Sequence, residues 1–462
     1  NRMTMTYING IDSVFKDRSY YGFTTMLGED SIAVKEKTNI NSQGIVINWY
    51  SNWNHNYNSQ FTFGKYILKE KYSSNQNFEN NTNTLFRINA ANENLLFSNS
   101  IFSFQQEYSG LKNHIISNGL QENYLRLHYK KSNEDGTLSN QSATTQNIYS
   151  YALFFEDNWT PSLNLKINSG LRIQYYMSTK KYLLEPRFSL RYNMYPQLSL
   201  EASLGQHHQH VHNIKNSTNR GTLENNLLLT SYSIPIISSS NYNIGLNWNN
   251  LDYSISTNIY YRLLNNIFQF KNSFLPYNQE TYFDSNIALG LSDKKGIELI
   301  IRKKRGTILG WLSYHYSKTI HDFPSLNNGQ SYSASYDKPH ELKAVTITSI
   351  WNIDFTANWV ISSGGLYTEL DNMYVEPGTG YNIIINQNQN QGRLPPIHHL
   401  DISISKVWEI SPLVLNISFS IYNIYNKNNY SHKRYNPYTS QLSVSNVSML
   451  GITPSVNLKI SF

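Results

Sequence analysis

The feature that most constrains how this chain folds is a strict alternation of apolar and polar residues, repeated many times along it. In the segment LNLKINSGLRIQ (163–174) the odd positions carry mostly Leu and Ile, and the even positions carry mostly Asn, Lys, Arg and Gln. The alternation recurs at 187–194, 242–248, 353–359 and 413–421. Successive side chains of a β-strand point to opposite faces, so each segment predicts a strand with one apolar and one polar face.

Strand length and connection length separate two all-β architectures that share this alternation. A soluble β-sandwich uses strands of about 5 or 6 residues, whereas several segments here reach about ten, the length that a tilted strand needs to cross a membrane. Tight turns also alternate with long Asn- and Ser-rich loops. The tight turns are expected at 160–162, 195–197, 249–251, 304–306, 351–353 and 410–412. The long loops are expected at 213–237, 272–287, 320–335, 365–392 and 427–446.

This layout predicts an all-β chain that folds as a transmembrane antiparallel β-barrel, with the short turns on the periplasmic side. Counting along the chain gives about 18 strands. The last strand, SVNLKISF, is expected to turn Val456, Leu458, Ile460 and Phe462 toward lipid and to run down to the periplasm. An unpaired strand edge is costly in lipid, so either the first strand pairs with the last or further strands precede it.

Composition favours a membrane barrel over other classes. Charged residues make up only 15% of the chain, whereas Tyr, Phe and Trp number 36, 20 and 8, which suits strands that are wet on one face and apolar on the other. No apolar run approaches the ~18 residues of a membrane-spanning helix. The net charge of +7 includes one dense run, RKKR at 302–305, but no clustered basic face, so no nucleic-acid partner is expected. The absence of Cys excludes disulfides and thiolate metal sites.

The segment GQHHQHVHN (205–213) supplies the first candidate ligand contacts, His207, His208, His210 and His212. Strand parity predicts that the last three point outward and that His207 points into the lumen. Neighbours on one strand face are about 6 to 7 Å apart, so three such histidines cannot bind one ion unaided. We interpret the segment as a solvated, polar extension of a strand. Contact with a metal, haem or an anionic chelate is the alternative, because His is the commonest metal ligand.

Three arginines, Arg172, Arg187 and Arg191, are predicted to face the lumen from neighbouring strands. Polar groups are normal inside large barrels, so these residues line a wet wall or contact an acidic ligand. The chain has no H-E-x-x-H, G-x-S-x-G or P-loop motif. No enzyme activity and no cofactor are therefore expected.

Six segments resemble the barrel of TonB-dependent outer-membrane receptors, particularly those of Bacteroidetes-type bacteria. They occur in the family's order over about residues 150–462, and residues 1–149 fit more loosely. The six are YALFFEDNWTPSLNLKINSGLRIQYY (151–176), EPRFSLRYNMYPQLSLEASLGQHHQ (185–209), YDKPHEL (336–342), GRLPPIHHLDISIS (392–405), YNIYNKNN (422–429) and GITPSVNLKISF (451–462).

The resemblance implies energised import of a scarce ligand into the periplasm, through a barrel of roughly 22 strands closed by a plug. The three lumen arginines would then pair with the plug, and His340, His398 and His399 would be structural residues of the strand-entry pattern. The implied partners are outer-membrane lipid and lipopolysaccharide, the TonB complex and a surface lipoprotein. The family takes up iron chelates, haem, cobalamin, glycans and peptides, and the histidines favour an iron chelate, haem or another metal complex.

The sequence departs from the family pattern at its start, where it shows no plug, no TonB-contacting segment and about four strands too few. We therefore expect residues 1–462 to form a single barrel domain, the C-terminal part of a longer receptor. Four other classes of protein remain open: a passive porin of about 18 strands, an importer of glycans or peptides, a barrel hydrolase and a soluble β-protein. No oligomeric state is predicted.

Overall fold

The structure is a computed structural model of the chain. It describes all residues except 26–27, 80–84, 136–137, 218–222, 232–233, 272–286, 370–371, 376–381, 386–387 and 437–442. The long loop predicted at 272–287 therefore lies almost wholly outside the described residues. Within the described residues, no helix is long and apolar enough to cross a membrane.

One large antiparallel sheet of 19 strands dominates the described residues. Apart from the two-residue strand Tyr332–Ser333, it consists of 18 strands of nine residues or more, which confirms the predicted number. These are β1 Arg2–Thr25, β2 Gly28–Asn54, β3 Tyr57–Glu79, β4 Leu85–Tyr108, β5 His114–Asp135, β6 Leu138–Ser162, β7 Leu165–Tyr176, β8 Lys181–Tyr195, β9 Leu198–Gln209, β10 Ile237–Asn249, β11 Tyr253–Phe270, β12 Ile287–Lys303, β13 Ile308–Asp322, β14 His340–Ile350, β15 Ile353–Ser362, β16 Ile397–Ile410, β17 Leu413–Tyr422 and β18 Thr453–Ser461. Each strand pairs with the one that precedes it and the one that follows it, and β1 and β18 stand at the two ends of this order.

The apolar side chains of these strands lie on the outside of the wall, as the alternation predicts. Ile244, Phe419 and Val456 are 59%, 44% and 72% exposed, respectively, whereas Leu163, 98% exposed, lies in a turn rather than in a strand. Side chains of the opposite parity, such as Ser150, Ser199 and Ser317, are buried or polar and face the inside. Because the apolar face of the sheet is the exposed face, the sheet forms the wall of a barrel that is surrounded by lipid.

Tight turns join the strands at one end of the wall. At this end seven connections have two to four residues, and that between β4 and β5 has five; they lie at 55–56, 109–113, 163–164, 196–197, 250–252, 304–307, 351–352 and 411–412. In the turn at Trp351 and Asn352 both residues have positive φ, 53° and 57°, as in the type I′ turns that suit hairpins. The turn predicted at 160–162 is displaced to 163–164, because β6 continues to Ser162 through a register irregularity after Trp159.

The strands β1 to β6 are much taller than the rest of the wall, at 22 to 27 residues each. About ten residues suffice to cross the hydrocarbon layer, and the tight turns align the strands at the periplasmic end. The excess length therefore rises above the membrane on the extracellular side.

The long connections at the extracellular end carry their own short elements. These are the hairpin Val211–Ser217 with Leu223–Leu229, the 3-10 helix Asn327–Gly329, the pair Leu366–Tyr367 with Gly392–Arg393, the pair Asn372–Val375 with Asn382–Ile385 and the pair Tyr430–Asn436 with Ser443–Ser448. Two apolar clusters lie where these loops meet the wall. The loops are thus folded back onto the barrel.

Candidate functional site

The three arginines predicted to face the lumen lie on the polar face of β7 and β8, and each approaches a carboxylate. Arg187 Nη2 is 3.2 Å from Glu185 Oε2, and Arg172 Nε is 3.9 Å from the same oxygen. Arg191 Nη1 is 3.4 Å from Glu201 Oε1 on β9. The structure thus brings Arg172 and Arg187 together around one carboxylate and leaves Arg191 in a separate pair.

A polar pocket of ≈ 570 Å³ indents the wall around Arg191. It spans β6 to β11, with Arg191 and Glu201 beside amide and hydroxyl side chains. The other lining residues are Asn158, Lys166, Asn168, Ser189, Leu190, Ala202, Ser203, Asn243, Gly245 and Asn258. Hydrogen-bonding groups of both kinds on one concave wall can hold a polar ligand.

The expectation that His208, His210 and His212 point outward is wrong. Pairing between β8 and β9 ends at Gly205, and β9 itself ends at Gln209. His208 is still within β9, but β8 no longer pairs with it there and its ring turns to Glu185; His210 and His212 lie beyond β9, where strand parity no longer applies. The histidines are not a solvated extension of the strand either, because His212 is buried and His208 and His210 are partly buried and hydrogen-bonded to other side chains.

His208 turns into the gap between β8 and β9. Its Nδ1 is 3.2 Å from Glu185 Oε1, and its backbone N–H donates a 3.0 Å hydrogen bond to the same oxygen. The side chains of His208 and Glu185 are 6% and 5% exposed. Glu185 therefore joins this histidine to Arg172 and Arg187, and sequence reasoning overlooked it because a single Glu in a strand carries no pattern.

His210 and His212 anchor the hairpin of Val211–Ser217 and Leu223–Leu229, hereafter the histidine hairpin. His210 Nδ1 is 3.0 Å from the hydroxyl of the fully buried Tyr176. His212 is 2% exposed, with Nε2 2.9 Å from Thr230 Oγ1 and its ring edge-on to Phe268. Burial lowers the pKa of His210 and lowers the pKa of His212 to about 4. Both rings are therefore neutral at pH 7.

The histidine hairpin also packs apolar residues against the inner face of the tall wall. Leu229 is fully buried with Tyr176 and Ile236, and Val211 and Leu227 pack against the same cluster. The wall contributes Leu125, Leu127 and Ile148, flanked by Leu95, Phe97 and Leu183. Burial of this kind is the main stabilising term for a docked loop.

His207 is the histidine that faces the lumen, as predicted. An added Cβ on Gly205 would lie 3.3 Å from His207 Nε2 and 3.8 Å from Arg187 Cγ, so the glycine leaves room for both side chains. The four histidines do not converge, and in the part of the chain that the structure describes no three His, Asp or Glu side chains could hold one metal ion.

A second set of loops, 323–339 and 363–396, is held together by the ion pair of Asp337 and Arg393, hereafter the latch. The carboxylate of Asp337 is buried and accepts hydrogen bonds from the Thr319 N–H (2.8 Å) and Arg393 Nη2 (3.2 Å). Arg393 Nη1 also donates to the carbonyls of Asp337 and Gly364, both at 2.8 Å. The latch joins the loop 323–339 to the loop 363–396 and to β13.

Beside the latch, the loop 323–339 buries Phe323, Leu326 and Tyr332 against Ala288. The ring of His321 meets those of Phe323, Tyr332 and Tyr336 edge-on. Burial lowers the pKa of His321, at the extracellular end of β13, to about 4. The latch residues belong to the segments YDKPHEL and GRLPP. From the sequence, a structural role was assigned to the histidine of the first segment, and the charged pair was not identified.

The histidines interpreted as structural make contacts of that kind. His399 Nδ1 is 2.8 Å from Asp401 Oδ1, which also accepts the Asn423 N–H at 3.0 Å. His398 is held through its backbone, since its N–H donates to Asn429 Oδ1 and its carbonyl accepts from Asn429 Nδ2. His340 Nδ1 is 2.8 Å from the hydroxyl of Tyr314.

A wall of long antiparallel strands with an apolar outside, a polar inside, tight turns below and inward-folded loops above defines an outer-membrane β-barrel of the transporter class. The family model "TonB dependent receptor-like, beta-barrel" matches residues 5–424. The chain belongs to this family, whose members lie in the outer membrane of Gram-negative bacteria and are receptors and transporters rather than enzymes.

Solved structures share the fold at low sequence identity. The ferric preacinetobactin receptor BauA from Acinetobacter baumannii is 10% identical, with a TM-score of 0.58 over 99% of this chain and 73% of its own. The ferric yersiniabactin uptake receptor FyuA from Yersinia pestis is 11% identical, with a TM-score of 0.58 over 100% of this chain and 78% of its own. The RagAB peptide importer is 11% identical, with a TM-score of 0.55 over 85% and 59%. A search of curated proteins gives no match.

Proposed function

We propose that this protein imports a scarce ligand into the periplasm in a TonB-dependent manner, and that the ligand is an iron chelate, haem or another metal complex. The match to the receptor family over residues 5–424 is the observation that carries the proposal. Similar structures include receptors for ferric preacinetobactin and ferric yersiniabactin. The inward-folded loops and the polar lumen wall suit a vestibule that captures a ligand before transport.

In this proposal residues 1–462 act as one barrel domain, embedded in outer-membrane lipid and lipopolysaccharide. Energised transport requires in addition coupling to the TonB complex. The passive porin is the alternative. Uptake in a strain that lacks TonB separates the two, because a porin needs no energy coupling.

Growth on defined nutrients tests the ligand class. A strain lacking this protein is compared with its parent on iron chelates, haem, cobalamin, glycans and peptides as limiting sources. The proposal expects a defect with one of the metal-containing sources, and the same defect in the strain without TonB. Normal growth on every metal source would contradict it.

Contacts from Arg172, Arg187, Arg191 and the four histidines belong to the same proposal. Since His208, His210 and His212 are engaged in the wall and the hairpin, His207 is the histidine best placed to touch a ligand. Binding of transition metals and of haem is titrated with the intact receptor, with His207→Ala and with a variant carrying Ala at all four positions. Affinity equal to the parent in both variants would remove the histidines from the site.

Peptide import with a surface lipoprotein is the second candidate, favoured by the likeness to the RagAB peptide importer. Purification of the receptor from its own membranes in mild detergent tests it. A stoichiometric lipoprotein that copurifies, together with a growth defect on peptides, would replace the metal-complex proposal by this one.

A further inference from the structure

A row of lumen-facing residues crosses the wall from β8 to β13 at one level. The pairing register places Arg187 opposite Gly205, Asn241 opposite Arg262, and Lys294 opposite Thr319. Gly205 pairs with Asn241 and Arg262 pairs with Lys294, so the row is continuous across the six strands.

Strand parity shows that Arg262 and Lys294 point inward. Their chain neighbours Tyr261 and Lys295 are exposed on the outer face, where Tyr261 stacks on Tyr242 at 6.2 Å. Lys294 Nζ lies 5.7 Å from the ring centre of Tyr260, whose hydroxyl is 2.8 Å from His315 Nε2 inside the lumen.

The charge of this row is not balanced. Like charges at directly opposite positions of a sheet repel each other, yet in the described part of the chain neither Arg262 nor Lys294 has a carboxylate within ion-pair distance. Other cations in the lumen are paired with a carboxylate, for example Arg191 with Glu201 and Lys343 with Glu341.

The lumen carboxylates nearest the row are Glu298, four residues from Lys294 on the same face of β12 and 3.8 Å from His315 Nε2, and two that are already bound by cations. Glu185 is shared by Arg172, Arg187 and His208, and Asp337, next to Thr319 at the end of the row, is held by Arg393. His207 adds a basic ring to the row, since Arg187 and Arg262 are both its charged neighbours. The row thus carries Arg187, His207, Arg262 and Lys294, while Glu185 at its edge is already shared by three basic groups.

The row lies within reach of the extracellular space. His207 is two residues from the end of β9, and Tyr336, an exposed residue of the loop 323–339, is an electrostatic neighbour of Arg262. At about 4.8 Å per strand, the wall from Arg187 to Lys294 is roughly 19 Å wide. That width suits an anion whose charged groups are spread over the molecule.

We propose that Arg187, His207, Arg262 and Lys294 form a binding site for an anionic ligand that carries several carboxylate or phosphate groups. The inference rests on the proposed uptake function, for which it names the charge of the ligand. Arg262 and Lys294 are its centre, because they occupy directly opposite positions and have no carboxylate partner among the residues that the structure describes.

The test measures binding of two small anions, propane-1,2,3-tricarboxylate and inorganic pyrophosphate, to the full-length receptor in detergent by calorimetry. The parent is expected to bind at least one of them, more weakly as salt rises. The choice between them tells a carboxylate-bearing from a phosphate-bearing ligand. The neutral triamide of the first probe should not bind.

Two double variants locate the site. Arg262→Gln with Lys294→Gln should weaken binding at least about tenfold, because charge-assisted hydrogen bonds are lost. Lys295→Gln with Lys318→Gln removes two cations from opposite positions on the outer face of β12 and β13, and should change affinity less than about twofold. Lys294→Gln alone, expected to weaken binding about tenfold, serves if the first pair does not fold.

Three results would overturn the inference: no binding of either anion by the parent, equal losses in the two double variants, or a lower melting temperature of the first pair with unchanged affinity. The last would mean that the row pairs with carboxylates of the receptor itself. Growth assays keep the two proposals apart. If the growth assays show uptake but no anion binds, only the proposed anion site is rejected. If anions bind but the growth assays show no uptake, the proposed uptake function is rejected.

Discussion

The histidine hairpin and the latch fold loops over the same barrel mouth by different physical means. The hairpin is held by apolar burial around Leu229 and Tyr176, with two neutral histidines as polar contacts. The latch is held by the buried carboxylate of Asp337 and the guanidinium of Arg393. Apolar burial is non-directional and tolerates small shifts, whereas a buried ion pair fails when either partner is removed.

The two regions should therefore be destabilised by different changes. Loss of packing volume around Leu229 should open the hairpin and leave the latch closed. Loss of one charge should open the latch and leave the hairpin docked.

Breaking the latch should have the largest effect. Asp337→Ala leaves Arg393 and the Thr319 N–H without their acceptor. It should lower the local stability of the loops 323–339 and 363–396 by about 3–4 kcal/mol. Limited proteolysis and hydrogen exchange of these loops measure it. Asp252→Ala, in an exposed turn, is the control, and exchange rates equal to those of the control would show that the latch is not stabilising.

Emptying the apolar cluster should have the next largest effect. Leu229 is 0% exposed, so Leu229→Ala should destabilise the docked histidine hairpin by about 2–3 kcal/mol through lost burial and an unfilled cavity. Hydrogen exchange over residues 223–231 reports it. The exposed Leu251→Ala should leave exchange unchanged, and faster exchange in the latch loops would refute the independence of the two regions.

Acid should loosen the histidine hairpin. The pKa of His212 is about 4 in the docked state and 6.5 when undocked, so docking is fully stable above pH 6.5 and weakens as pH falls toward 4. At pH 5 the loss from His212 is about 2 kcal/mol. Proteolysis of the hairpin at pH 7.5 and pH 5 measures it. His212→Gln should show a smaller ratio between the two rates, and an unchanged ratio would contradict the assignment.

Removing one hydrogen bond should have the smallest effect. Tyr176→Phe deletes the hydroxyl that contacts His210 and should cost about 1 kcal/mol, seen as slightly faster exchange in the histidine hairpin. Tyr182→Phe, on an exposed tyrosine, is the control. Exchange as fast as in Leu229→Ala would mean that the hydroxyl, and not the apolar cluster, holds the hairpin.

Which residues lie on each face of the wall could be predicted from the sequence, because strand parity is a local property. The sequence predicted the lipid-facing positions of Ile244 and Phe419, the number of strands and most of the tight turns, and it placed Arg172 and Arg187 on the lumen side. Each of these follows from alternation over a few residues, with no knowledge of which strand lies next to which.

Tertiary structure alone decided what happens where the alternation stops or where strands must be aligned. The burial of His210 and His212 follows from a hairpin that leaves the sheet and folds against strands far away in sequence. The latch joins residues 56 positions apart, and the row of Arg262 and Lys294 exists only in the register that pairs them. Register and loop docking are set by long-range contacts, which a period of two residues does not encode.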